Sequence, residues 1–160
     1  MKAAQLLAEI ESVFSPVPMP ARGDLSFHAV GCAECQETAR DLEQLRGKEV
    51  GPEIIRLVHQ ELSHLSPQAW LWLLPGYLRF CLTADALYSR VETEFLIYTL
   101  NPAPEFQKDT LLRLSLLDAS QVACLIHFVA GCATHEFWRE YFPASIEGAQ
   151  KFLRAVATLR

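Results

Sequence analysis

The stretch from Glu61 to Thr83, ELSHLSPQAWLWLLPGYLRFCLT, is the most apolar part of the chain, and the other elements have to be built around it. Ser66 followed by Pro67 reads as an N-cap and first helical residue. A hydroxyl oxygen can accept an orphan backbone N–H there, and proline has no N–H to waste. Trp70, Leu71, Trp72, Leu73, Leu74, Tyr77, Leu78, Phe80, Cys81 and Leu82 then leave almost no polar face. That pattern belongs to a buried central helix, about 66–82, surrounded by others. A membrane span needs about 20 predominantly apolar residues. Here Pro75, Gly76 and Arg79 interrupt the run, and His64 and Asp85 flank it. Pro75 removes one helical hydrogen bond and clashes with the carbonyl four residues earlier, so a kink or break is expected near Leu74.

A chain of 160 residues suffices for a single helical domain, 1–160, with its own core and no need of disulfide or metal. Its 51% hydrophobic and 21% charged residues suit a packed globule. The formal charge of −5 disfavours nucleic acid and anionic membranes, which are bound through clustered Lys and Arg. Glu9 and Glu11 fall where a signal peptide would need its apolar core. Five cysteines scattered through apolar segments fit a reducing, cytoplasmic setting without structural disulfides.

Several further helices follow from apolar spacing. Leu6, Leu7, Ile10, Val13 and Phe14 mark one over 2–14, ended by the proline-rich loop SPVPMPARGD. LSFHAV is expected to be loop, with Gly31 allowing the turn into Cys32. Cys35, Ala39, Leu42 and Leu45 form a thin stripe over 33–45, while Glu34, Glu37 and Asp41 share a wet, acidic face. Gly47 stops that helix. Pro52 opens the next, whose core face of Ile54, Ile55, Leu57, Val58, Leu62 and Leu65 is expected against the central helix. Leu87, Val91, Phe95 and Tyr98 line up on another, ended by Asn101-Pro102-Ala103-Pro104. LLRLSLL is read as an irregular bridge or helical turn. Asp118 and Gln121 make a capping box ahead of Val122, Leu125, Ile126, Val129 and Ala133. A last helix follows Ser145, with Ile146, Ala149, Phe152, Leu153 and Val156 inward. The fold class is all-α.

Three places carry a resemblance: Cys32-Ala-Glu-Cys35 with Leu45-Arg-Gly-Lys48, then LSHLSPQAWLWLLPGYL over Leu62–Leu78, and LDASQVACLIHFV over Leu117–Val129. Together they resemble a family of small bacterial domains of unknown function, with "LSPEAFRYYLPAYL" as the usual wording of the middle motif. Here Gly76 stands where alanine is usual, and Trp72 and Leu73 take the place of aromatic residues. The resemblance implies a helical fold and a bacterial source, and it transfers no catalytic residue.

The sharpest chemical pattern is His28-x3-Cys32-x2-Cys35, two thiols and an imidazole able to converge on zinc at a helix start. A structural site needs a fourth ligand, for which His59, His64 and Cys81 are candidates. A CxxC at a helix N-terminus is also the setting of redox thiols, but those follow a strand in β/α chains. His59 and His64, five residues apart, sit about 140° apart on a helix and cannot readily share a metal. His127 reads as a partly buried residue with one partner, and His135-Glu136 lacks the second histidine of a metalloprotease helix. No nucleophile elbow, phosphate loop or dinucleotide fingerprint is present. Between Asp24 and Glu61 there are eight acidic and four basic residues, which would steer a basic partner. The leading expectation is therefore a non-enzymatic, cofactor-free protein-binding domain of inhibitor or immunity type. It would engage another protein through Glu34, Glu37 and Asp41. The alternative is a zinc or thiol protein centred on His28, Cys32 and Cys35.

Overall fold

The computed structural model describes residues 2–28, 30–83 and 91–160. Among them are nine α-helices and no strand: α1 Ala3–Val13, α2 Ala33–Glu43, α3 Pro52–Val58, α4 Pro67–Cys81, α5 Val91–Thr99, α6 Gln107–Arg113, α7 Ala119–Ala133, α8 Glu136–Tyr141 and α9 Pro143–Ala157. The only extended pairing among the described residues is an isolated bridge between Ser26 and Leu65. None of these helices is long and apolar enough to cross a membrane.

The central helix forms for the reasons its sequence states. Ser66 Oγ accepts from the Ala69 N–H at 3.0 Å, its hydroxyl donates to the Asp24 carbonyl, and Pro67 occupies the first turn. Eleven of the fifteen residues of α4 are buried, at roughly 1.5–3 kcal/mol for each large apolar side chain. That exceeds the roughly 3 kcal/mol that an interior proline costs, and of the kink or break expected near Leu74 a break does not occur: α4 continues through Pro75. Trp70, fully buried, also donates its indole N–H to the Leu62 carbonyl at 3.0 Å.

One contiguous core takes residues from Leu6 in α1 to Val156 in α9. Helix α7 packs against α9 and α1, α1 and α6 against α4, and α5 against α9. The expected capping box holds α7: Asp118 Oδ1 accepts from the Gln121 N–H at 2.9 Å, and Gln121 Oε1 accepts from the Asp118 N–H at 3.1 Å. His127 has the single partner its sequence context suggested, Glu9 Oε1 at 2.8 Å.

Several elements depart from the sequence reading. Helix α2 ends at Glu43, and its exit turn reaches Gly47 at φ +87°. Ile54, Ile55 and Val58 of α3 join the buried core that holds α4, α2 also packs against α3, and Leu57, expected on that core face, is exposed. LLRLSLL, in keeping with its reading as an irregular bridge or helical turn, divides between the end of α6 and the turn after it. Helix α9 begins at Pro143, with proline again at the first position, before Ser145. Helix α8 was not foreseen; it buries Trp138, whose ring packs on Phe137 and Phe142. On α5, Leu87 lies outside the described residues. The buried face of α5 is Glu92, Thr93, Leu96 and Ile97, while Val91 and Tyr98 are exposed.

Candidate metal centre and its cleft

The segment ahead of α2 is pinned to the start of α4. The Phe27 N–H donates to the His64 carbonyl at 2.7 Å, the Ser66 N–H donates to the Leu25 carbonyl at 2.9 Å, and Leu25 is fully buried. Gly31 turns the chain at φ +85°, a left-handed conformation that other residues adopt at a cost. Cys32 then serves as N-cap of α2, its Sγ accepting from the Cys35 N–H at 3.4 Å. Ser26 Oγ donates to the Cys35 carbonyl at 3.0 Å.

This turn brings the sequence pattern together in space. His28 Nδ1 lies 3.4 Å from Cys35 Sγ, and the ligand atoms of His28, Cys32 and Cys35 all lie within 4.8 Å of one another. In a tetrahedral zinc site, metal–ligand bonds of about 2.0–2.3 Å set N···S and S···S edges of roughly 3.5–3.8 Å. The His28–Cys35 distance already matches such an edge, the other pairs lie within about 1 Å of one, and the donor set of two sulfurs and one imidazole is of the soft kind that such metals select. These three residues can hold a metal. Burial pushes the Cys35 thiol up, with a smaller contribution from its hydrogen bond to Cys32, so a metal must displace a proton there.

None of the candidate fourth ligands joins the cluster. His64 pairs with Glu61 at 2.7 Å and meets Thr38 Oγ1 at 3.2 Å. His59 lies edge-on to Phe95, with Nδ1 2.8 Å from the Arg56 carbonyl, and Cys81 is buried at the end of α4. All five cysteines are free thiols.

A cleft of about 500 Å³ opens beside the cluster, with His28 and Cys32 on one side and Phe95, Tyr98, Phe106 and Arg113 among its other walls. The residues of α5 that read as an inward stripe thus supply aromatic wall instead. Arg113, from α6, is 6% exposed. Its guanidinium stacks 4.0 Å over the Phe27 ring, and one Nη donates to the Ser63 carbonyl at 2.7 Å. Its Nε has no hydrogen-bond partner. Burial pulls its pKa down, opposed by the charges of Asp109 and Cys35. No sequence signal marked Arg113; it is a single basic residue in an apolar run, placed by tertiary packing.

Glu34, Glu37 and Asp41 also come together, around a shallow concavity of about 230 Å³ completed by Leu57, Glu61 and His64. Glu37 pairs with Arg40 at 3.3 Å. The Glu34 carboxyl is held below the usual carboxylate range by its own backbone N–H and then by Cys32, whose thiol donates to it at 3.5 Å.

No curated protein and no solved structure matches the chain. A model of a protein family does, over residues 2–145, a span that takes in the His–Cys–Cys cluster, the cleft and the central helix. The chain belongs to this family, DUF6714, a family of unknown function.

Proposed function

We propose that this protein is a zinc-binding helical domain in which His28, Cys32 and Cys35 hold the ion. The observation that carries the reading is the convergence of an imidazole nitrogen and two sulfurs within 4.8 Å. The hydrogen bonds of Ser26, Phe27 and Cys32 hold the backbone that presents them. Zinc bound by three protein ligands keeps a position for a further group and acts there as a Lewis acid. Free thiols throughout the chain suit the reducing cytosol, and the resemblance over Leu62–Leu78 supports a bacterial source. The test is native mass spectrometry of protein purified under reducing conditions without chelator. One zinc per chain, lost in Cys32→Ser, is the expected result; a metal-free mass that stays so after zinc is added overturns it.

A second reading, capture of a basic partner protein, is favoured by the acidic concavity that gathers Glu34, Glu37, Asp41 and Glu61. An inhibitor or immunity-type role would place the partner's Lys or Arg there. Charge reversal at Glu37 and Asp41 should abolish capture while leaving the helical circular dichroism intact. Unchanged capture would sink this reading.

A further inference from the structure

We infer that the cleft beside the metal centre binds a small organic carboxylate, with its charged end between Arg113 and the metal and its apolar body against the aromatic wall. The inference rests on the metal reading and names what fills the position the protein leaves open.

Arg113 is the main observation. Buried guanidinium groups are normally paired and hydrogen-bonded. This one is 6% exposed, has no carboxylate within ion-pair distance among the described residues, and leaves its Nε without a partner. Its one hydrogen bond goes to the Ser63 carbonyl, and Phe27 covers one face of its plane. The Nε is sealed from the cleft, but the guanidinium held by Ser63 and Phe27 lines it and presents its remaining Nη–H donors in a fixed plane to a planar, singly charged anion.

The surroundings define the rest of the ligand. His28 and Cys32 line the same cleft, and Arg113 and Cys35 are close enough to perturb each other's charge. The anion therefore meets the charge of the guanidinium and an open Lewis-acid position on a metal whose own charge the two thiolates balance. Asp109 also borders the cleft and opposes a second negative charge, which disfavours a phosphate dianion relative to a carboxylate. Phe95, Tyr98 and Phe106 form an apolar wall, and a cleft of about 500 Å³ lies in the range of small-molecule sites.

The experiment uses the full chain loaded with Co²⁺ in place of zinc and titrated with benzoate, read by the visible d–d bands and by calorimetry. A saturable change in the bands is expected, with the dissociation constant raised at least tenfold in Arg113→Met at unchanged metal stoichiometry. Phe106→Ala, at a side chain already 59% exposed, should weaken benzoate several-fold and keeps the test open if Arg113→Met fails to fold. Metal uptake with silent bands, equal affinity in Arg113→Met or Phe106→Ala, or tighter binding of inorganic phosphate than of benzoate overturns this inference alone. Failure to take up any metal overturns both it and the metal reading.

Discussion

Replacing Gly76 by alanine should destabilise the protein, although the same change in an open helix position stabilises. A Cβ built on Gly76 would lie 2.5 Å from Val50 Cγ1, 2.6 Å from Val50 Cβ and 2.7 Å from the Val50 carbonyl oxygen. Carbon atoms pack at about 3.5–4.0 Å, so the segment carrying Val50 must retreat by roughly 1 Å. Two of the three atoms are not the free end of a flexible side chain, and α4 is buried on the other sides and cannot yield. Overpacking of this kind costs about 1–3 kcal/mol, against the roughly 0.5–1 kcal/mol by which alanine favours a helix over glycine. The expected net loss is about 1–2 kcal/mol, read as a lower urea midpoint at unchanged m-value. Val50→Ala removes the Cγ1 contact and should restore part of the loss, the signature of a coupled pair. The internal control is Gly131 in α7, where an added Cβ meets nothing within 4 Å; Gly131→Ala should gain about 0.5–1 kcal/mol. A Gly76→Ala protein as stable as the parent would refute the argument. The close approach also gives Gly76 a physical reason to stand where the resembling motif has alanine.

Other perturbations probe caps and thiols. Asp118→Ala should cost about 1 kcal/mol by removing the N-cap of α7. Hydrogen bonds from Ser120 and then from the Gln121 backbone hold the Asp118 carboxyl below its usual value. Its contribution is therefore present above the unfolded-state value near 3.9 and is lost as pH falls through the lowered folded value; urea melts at pH 6 and pH 2.5 should differ less in Asp118→Ala than in the parent. Trp70→Phe keeps most of the buried ring but removes the indole donor to the Leu62 carbonyl, which keeps only the longer hydrogen bond from the Leu65 N–H at 3.4 Å, for a loss of about 0.5–1.5 kcal/mol in the same assay. Burial pushes the Cys124 and Cys132 thiols up to about 12, so at pH 8 iodoacetamide should label half-buried Cys32 well before either in the native protein. Equal labelling rates by peptide mass spectrometry would contradict the packing described.

Where the chain states its structure locally, the structure was legible. Ser66-Pro67 and Asp118-Gln121 supply caps that act within one turn, and both helices begin there. The inward stripe of α9 is a plain helical repeat, and Ile146, Ala149, Phe152, Leu153 and Val156 are all buried. What stayed hidden depends on neighbours distant in sequence. Phe95 and Tyr98 have the spacing of a core stripe, yet they face the cleft because Leu96 and Ile97 take the inner side of α5. Helix α8 has six residues, too few to display a period. The His28–Cys32–Cys35 spacing was visible, but their convergence needed the left-handed turn at Gly31 and the anchoring of Phe27 on His64. Arg113 carries no local mark at all, since its role exists only where α6 meets Phe27 and Ser63.

The position of the cluster relative to the core separates a staple from a working site. Small domains recruit metal when they cannot bury enough apolar surface. This chain buries a contiguous core from Leu6 to Val156, and of the three proposed ligands only Cys35 is fully buried; His28 is exposed and Cys32 half-buried at the edge of a cleft. A metal placed there would hold together a loop and the first turn of α2, elements already tied by Ser26, Phe27 and Leu25. Its loss should therefore leave the helical circular dichroism and the cooperative melt in place, with a Tm lowered only by the linkage term, about 2.7 kcal/mol at metal one hundred times above Kd. Collapse of the whole fold on chelation would instead make the centre structural. A stable metal-free fold with a lower Tm would leave the coordination chemistry available to whatever enters the cleft.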